Sequence, residues 1–328
     1  MMRRRVILGA GMAGLVGSAQ AQVAAGRIGV AGWPSRPVKL VVGFAAGGAT
    51  DIYARMVADR LTALGQATVV ENRPGAAGVL ANEAVARSTD GHTFLMTSSS
   101  FSVSAALRAG QLPYDVLKDF APISIFASGA NGIFVHPATP ATTIEQFVDL
   151  ARSRPGGLTT ASPGAGTTAH VTQEYFKLRT GANLVHVPYR GSGALLPDLL
   201  GGQVASVIDN LPPYMEHVQA GRLRLLAVTT AQPSPSAPEV PTLAATVAPG
   251  FDAAAWFGLL GPAGTPEAVS RSLNQVCAGL LTDSGIVSRI RQSGAEPSAS
   301  SPEAFAELLR QELARWTEVV RISGARMD

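Results

Sequence analysis

Buried-strand and helix patterns alternate along most of this 328-residue chain, and that alternation restricts the fold more than any single motif. Val38 to Val42 is a short, mostly apolar run, typical of a strand covered on both faces. A helix is predicted from Asp51 to Leu64, and a small-residue helix from about Pro74. Further strands are predicted at 68–70 and 93–97. This order predicts a parallel sheet with helices on both faces.

The same alternation starts again in the second half of the chain. Helices are predicted at 144–153, 168–178 and 194–200, and strands at 158–161, 185–187, 204–208, 223–229 and 256–260. A proline-rich loop at 233–241 precedes the last of these strands, and three helical segments end the chain. We therefore expect an α/β protein with two similar lobes, in which the C-terminal helices return to the first lobe.

Two glycine-rich strand-to-helix turns, Gly43–Asp51 and Ser162–His170, occupy equivalent places in the two halves. The first N–H groups of a helix lack intrahelical partners and carry partial positive charge. Such a turn can therefore hold an anion without a cationic side chain. Thr50 and either Thr167 or Thr168 can cap these helices or offer a hydroxyl group to a ligand. The alternative interpretation of each turn is an ordinary tight connection.

Other polar residues near these turns are also candidates. Asp209 and Asn210 end a predicted strand of the second lobe, where they could face a ligand or only form a turn. Ser98 and Ser99, at the end of the third strand, are expected to face them from the first lobe. An ionised Asp209 would favour a hydroxylated or cationic ligand end and disfavour a second carboxylate. The charge of Asp51, by contrast, would compete with an anion at its own turn.

Signatures of several enzyme classes are missing from the chain. It contains no G-x-x-x-x-G-K-[ST], G-x-S-x-G or H-E-x-x-H motif. Its five histidines do not have the spacing of metal ligands; we expect His170 to pack against its turn and His186 to face the core. Cys277, the single cysteine, lies in a helical apolar pattern and is expected to be a core residue rather than a nucleophile. We expect no catalysis, no cofactor and no metal.

The N-terminus has the layout of an export signal. Arginines at 3–5 precede an apolar run at 6–16, which is too short to span a bilayer, and small residues at Ala19 and Ala21 suit a cleavage site. The adjacent arginines also suit twin-arginine export, and the alternative is a short membrane anchor. We expect residues 1–21 to be removed, so that a periplasmic protein begins near Gln22.

Removal of this segment changes the charge of the chain. The first 21 residues contain three arginines and no acidic residue, which leaves 23 Lys and Arg against 23 Asp and Glu. A nucleic-acid-binding protein would be expected to carry a basic stripe with interleaved aromatic residues, and none is present in the sequence. The sequence therefore does not predict a nucleic-acid partner.

Longer segments of the chain resemble the Bug family, the extracytoplasmic solute receptors of tripartite tricarboxylate transporters. The matching segments are WPSRPVKLVVGFAAGGATD (33–51), VVENRPGAAG (69–78), LPYDVLKDFAPIS (112–124), SPGAGTTAH (162–170), HVPYRGSGALLPDLLGGQV (186–204), LRLLAVTT (223–230), EVPT (239–242) and WFGLLGPAGTP (256–266). The resemblance implies a type II periplasmic binding protein fold, with two mainly parallel lobes joined by two crossover strands and closing on a ligand. It places the first lobe at 33–134 plus 257–328 and the second at 135–256.

The resemblance also implies which residues hold the ligand and what the ligand is. Family members bind small carboxylates, such as organic acids, amino acids and aromatic acids, mainly through backbone groups and hydroxyls of the two glycine-rich loops. The implied positions are Phe44, Gly47, Gly48, Ala49, Thr50 and Asp51 in the first lobe, and Ser162, Gly164, Gly166, Thr167, Thr168 and His170 in the second. We expect a monomer that delivers a carboxylate to membrane permease subunits. The alternatives are a sensory binding protein that presents its ligand to a signalling partner, or an exported enzyme on the same scaffold.

Overall fold

The computed structural model describes residue 30 and residues 32–326. The predicted export signal at 1–21 lies outside the described residues. Within the part of the chain that is described, no helix combines the length and the apolar character that crossing a membrane requires.

The described strands join into one curled sheet. They are β1 (Val38–Val42), β2 (Thr68–Asn72), β3 (Thr93–Ser98), β4 (Phe120–Val135), β5 (Leu158–Ser162), β6 (Leu184–Pro188), β7 (Ser206–Asn210), β8 (Arg224–Val228), β9 (Ala254–Pro262) and β10 (Glu296–Pro297). Their order across the sheet is β2-β1-β3-β9-β4-β7-β5-β6, and β8 and β10 also pair with β4.

Helices cover this sheet. They are α1 (Ala49–Ala63), α2 (Val79–Ala86), α3 (Ser100–Leu107), α4 (Ile144–Ser153), α5 (Thr168–Thr180), α6 (Ser192–Leu200), α7 (Met215–Gln219), α8 (Glu267–Leu280), α9 (Ser284–Gln292) and α10 (Pro302–Ser323). The long helix α10 packs against α3 and also against α5, so it contacts both halves of the molecule.

The two halves of the sheet have the parallel arrangement that the alternation predicts. Strand β1 pairs in parallel with β2 and β3, and β5 pairs in parallel with β6 and β7. The antiparallel strands lie between these groups, because β9 pairs with both β3 and β4, and β4 pairs with β7. The two-lobed α/β class is thus confirmed.

Two strands run between the lobes. The 16-residue strand β4 pairs with β9 from Phe120 to Ala130, and with β7 and β8 from Asn131 onwards. Sequence patterning did not reveal β4, because Pro122 and the glycines at 129 and 132 interrupt its apolar run. The lobe boundaries at 134/135 and 256/257 fall inside β4 and β9, and their position remains a prediction.

The predicted helix start at Pro74 is wrong. A short 3-10 turn occupies Ala76–Gly78, and the α-helix begins only at Val79. The delay follows from close packing, because a Cβ added to Gly43 at the end of β1 would lie 2.6 Å from the Cα of Gly78. The backbone of Gly78 is left-handed, with φ of 91°. The chain must therefore turn around the first glycine-rich loop before α2 can start.

The core is divided among the faces of the two half-sheets. Tyr53 of α1 packs on Phe257 of β9, with ring centroids 4.8 Å apart, in the cluster that also contains Cys277. Cys277 is completely buried, and this burial raises the pKa of its thiol to about 12. Its predicted place in the core is confirmed.

Candidate ligand-binding cleft

A small cavity lies where strands β1, β3, β5 and β7 end. Helices α1, α3, α5 and α6 all begin beside it, which is the usual place for a ligand at the carboxyl ends of parallel strands. The lining residues are Phe44, Gly48, Ala49, Thr50, Ser98, Ser100, Pro163, Thr167, Thr168, Ala169, Ser192, Asp209 and Asn210. None of them is Lys, Arg or His, so the positively polarised groups that the lining itself offers are those of the helix termini.

The first turn of α1 is open toward the cavity. Gly48 is its N-cap residue, has an extended backbone, and makes no side-chain capping hydrogen bond. Ala49 and Thr50, the first two residues of α1, also line the cavity. Because helix N-terminal N–H groups need an acceptor and carry partial positive charge, this turn can bind an anion.

Asp51 does not compete for that site, although it lies in the same turn. Its buried carboxylate receives Arg55 Nε and Nη2 at 2.9 and 3.0 Å, the Gly47 N–H at 2.9 Å and Asn72 Nδ2 at 2.9 Å. Burial by itself raises the pKa of Asp51, but these donors outweigh it and hold the pKa below its usual value. Asp51 is outside the cavity lining, and its hydrogen bonds hold the loop between β1 and α1 in place.

The N-terminus of α5, unlike that of α1, already has hydrogen-bond partners within the protein. Thr167 Oγ1 accepts a hydrogen bond from His170 N at 3.3 Å and donates to the Gly164 carbonyl at 2.8 Å. Thr168 N donates to Ser100 Oγ at 3.1 Å, and Thr168 Oγ1 lies 2.9 Å from Ser99 Oγ. These contacts join the second lobe to the first at the floor of the cavity.

Gly164 and Gly166 of the second loop lie outside the cavity lining, and each has a structural feature that favours glycine. Gly166 has a left-handed φ of 85°, and a Cβ on Gly164 would lie 3.0 Å from the Tyr189 carbonyl oxygen. Neither glycine lines the cavity. That both glycines let a ligand approach the backbone stays a prediction.

A serine–histidine contact lies behind the same loop. His186 Nε2 is 2.6 Å from Ser162 Oγ, and the His186 ring stacks on His170 with centroids 4.3 Å apart. Gly166 N donates to His170 Nδ1 at 3.2 Å. Burial and the neighbouring His170 lower the pKa of His186 to about 3. None of these side chains lines the cavity, and half-buried His186 is not the core residue that its strand pattern indicates.

Helix α6 supplies a lining residue that sequence reasoning missed. Ser192 is buried at the first position of α6, and its Oγ donates to Asp209 Oδ2 at 2.6 Å. Tyr214 donates to the same oxygen at 2.7 Å, while Asn210 N donates to Asp209 Oδ1 at 2.8 Å. Asp209 therefore lies on a strand with its carboxylate fully engaged, and burial raises its pKa to about 6.

The two lobes also touch directly at the mouth of the cavity. Ala45 N donates to the Arg190 carbonyl at 3.0 Å, across the gap between the loop after β1 and the loop after β6. A Cβ added to Gly193 would overlap the Ala46 carbonyl oxygen, so only glycine permits this approach. The structure thus has the two loops in van der Waals contact around the cavity.

Most of the predicted site residues meet at this cavity. Those in the lining are Phe44, Gly48, Ala49, Thr50, Ser98, Thr167, Thr168, Asp209 and Asn210. Those outside it are Gly47, Asp51, Ser99, Ser162, Gly164, Gly166 and His170. The residues missed are Ser100, Pro163, Ala169 and Ser192. Ser192 could have been found, because Gly191-Ser192-Gly193 is a third glycine-containing turn from a strand to a helix.

Among the described residues, no cluster of His, Cys, Asp and Glu could hold a metal ion.

Comparison with known proteins agrees with this architecture. Residues 53–324 match the model of the tripartite tricarboxylate transporter family receptor. The chain is 37% identical to Protein BugT of Bordetella pertussis over 298 residues, which cover 90% of this chain and 91% of BugT.

Two similar structures contain named ligands. R. palustris Rpa4515, with adipate, shares 37% identity and a TM-score of 0.86, covering 90% of this chain and 99% of that one. MatC (Rpa3494) from Rhodopseudomonas palustris, with bound malate, shares 29% identity and a TM-score of 0.82, covering 88% and 100%. The family match, its extent and the shared fold together establish that this chain belongs to the tripartite tricarboxylate transporter receptor (TctC/Bug) family of solute-binding proteins.

Proposed function

We propose that this protein captures a small carboxylate in the periplasm and delivers it to the membrane subunits of a tripartite tricarboxylate-type transporter. Members of its family are periplasmic solute-binding receptors, and two relatives hold adipate and malate. The observation that carries the proposal is the convergence of four helix N-termini on a cavity whose lining has no cationic side chain. Such a site suits a carboxylate, because fixed N–H dipoles stabilise its charge.

The anchor of the carboxylate is the uncapped first turn of α1. Ala49 and Thr50 line the cavity there, and the Asp51 charge is already paired with Arg55. At the start of α5, the cap residue Thr167 already accepts a hydrogen bond from one N–H of the turn. We therefore assign to this turn the hydroxyl groups of Thr167 and Thr168 as the groups that meet the ligand. A ligand held from both lobes keeps them together, so release to a permease requires the lobes to separate.

Replacing Ala49 with proline tests this anchor. Proline is well tolerated at the first position of a helix, and Gly48 before it already has the extended backbone that proline requires, with ψ of 165°. The variant removes one N–H group from the first turn of α1, which lines the cavity. Ser284→Pro is the matched control, because Ser284 is the exposed first residue of α9 and lies outside the cavity lining.

Isothermal titration calorimetry with succinate, malate, adipate, lactate and propionate measures the effect. A hydrogen bond to a charged group contributes roughly 1.5–3 kcal/mol, so Ala49→Pro should weaken every carboxylate that binds by about tenfold or more. Ser284→Pro should bind as the wild type does. Unchanged affinity in Ala49→Pro, or binding of none of the five acids to the wild type, would contradict the proposal.

A further inference from the structure

We propose that Asp209 is a positioning residue that makes the Ser192 hydroxyl an acceptor toward the cavity, so that the site selects carboxylates bearing a hydrogen-bond donor. This inference rests on the proposed carboxylate-binding function. The donor can be a hydroxyl or an ammonium group. Both present an N–H or O–H hydrogen to the Ser192 oxygen.

The direction of the Ser192 hydroxyl follows from its partner. An ionised carboxylate has only acceptor atoms, so the hydrogen on Ser192 Oγ must point to Asp209 Oδ2 at 2.6 Å. Tyr214 donates to the same oxygen at 2.7 Å. What Ser192 can offer the cavity is therefore its oxygen lone pairs, and they suit a ligand donor and repel a second carboxylate.

The position of Ser192 makes this direction relevant to a ligand. Ser192 lines the cavity, and its Oγ lies 3.7 Å from where a Cβ would stand on Gly48, the cap residue of α1. A carboxylate on the first turn of α1 would thus share the cavity with the Ser192 hydroxyl. The pKa of Asp209, which burial raises to about 6, still leaves its carboxylate ionised at neutral pH.

Asp209→Asn should reverse this direction without changing the shape of the side chain. Asn210 N is a main-chain donor at 2.8 Å from Oδ1, so the new amide must keep its oxygen there. Its NH2 group then occupies the Oδ2 position, where Ser192 and Tyr214 must accept. The hydrogen of Ser192 is released toward the cavity, and the site should now prefer an acceptor.

The experiment compares ligands that differ only at one carbon. Succinate, malate and aspartate form one series, with hydrogen, hydroxyl and ammonium at the same position, and propionate, lactate and alanine form a second. Calorimetry at pH 7.5 should show the wild type preferring malate or aspartate to succinate, or lactate or alanine to propionate, by roughly fivefold or more. Asp209→Asn should remove or invert that ratio, and Ser192→Ala should bring it close to one.

Tyr214→Phe is the matched control, because it removes the other hydroxyl donor to Asp209 Oδ2 from outside the cavity lining. It should lower stability yet keep the wild-type ratio between ligands. A wild-type ratio within twofold of one in both series, or an unchanged ratio in a folded Asp209→Asn protein, would overturn the inference while leaving carboxylate binding intact. Failure of all six acids to bind would instead overturn the proposed function and this inference with it.

Discussion

Gly193→Ala should weaken ligand binding while leaving the unliganded fold intact. Gly193 lies in the first turn of α6, where a Cβ would overlap the carbonyl oxygen of Ala46 in the opposite lobe. Real Cβ contacts do not fall below 3.0 Å, so the two loops must separate by a distance on the order of 1 Å. That separation lengthens the Ala45 N to Arg190 O hydrogen bond, now 3.0 Å, beyond bonding range.

The expected loss of affinity can be bounded from these contacts. One backbone hydrogen bond contributes about 1 kcal/mol, which is about a fivefold change in Kd. Loss of the contact between α6 and the ligand could raise the total to about 3 kcal/mol, or roughly 150-fold. The unfolding free energy of the unliganded protein should change little. The lost hydrogen bond is offset because Gly193 has a backbone conformation that alanine adopts, and alanine favours a helix by up to about 1 kcal/mol over glycine.

Calorimetry with one bound carboxylate and urea unfolding of the unliganded protein give the two readouts. Gly279→Ala is the matched control, since Gly279 is a helical glycine of α8 with nothing within 4 Å of an added Cβ. It should keep the wild-type affinity. Binding by Gly193→Ala within twofold of the wild type would refute the idea that contact between the two loops supports the bound state.

Three further outcomes follow from buried groups. Asp51→Ala should cost about 2–3 kcal/mol in urea unfolding, because Gly47 N loses its acceptor and Asn72 Nδ2 loses one of its two; a loss below about 0.5 kcal/mol would contradict this. Cys277 should react with a thiol reagent at pH 8 only as fast as the protein unfolds, because burial raises its pKa to about 12; rapid labelling of native protein would contradict this. The pKa of Asp209 is raised from 3.8 to about 6, so its proton stabilises the fold below about pH 4 and this contribution of about 3 kcal/mol is lost as pH rises through 6. Asp209→Asn should therefore flatten the dependence of unfolding free energy on pH between about 4 and 7, and an unchanged slope would contradict the assignment.

Much of the architecture could be predicted because strand and helix periods are local properties. The observed β1 and α4 have the predicted bounds, β5 is one residue longer at its end, and β6 is one residue longer at each end. The errors occur where packing overrides local pattern. The close approach of Gly43 to Gly78 delays α2, and pairing with β9 and β7 makes a 16-residue strand of β4 in spite of its proline and glycines.

The candidate site was harder to predict, because it is assembled from loops far apart in the chain. Glycine-rich turns before helices indicated Thr50 and Thr168, both of which line the cavity. The same signal also indicated Gly164 and Gly166, which lie outside the cavity lining. Sequence spacing alone does not tell which side of a turn faces its partner lobe.

The sequence by itself determined the two-lobed α/β class, the family and the lack of Lys and Arg in the two glycine-rich loops. Those properties depend on local periodicity and on residue types, which do not require contacts at long range. Only the tertiary structure decided that Asp51 accepts a hydrogen bond from Asn72 of β2 and that Asp209 directs the Ser192 hydroxyl. Hydrogen-bond direction and charge compensation depend on which groups meet across the fold, and those meetings are set by sheet pairing and lobe contact rather than by neighbours in sequence.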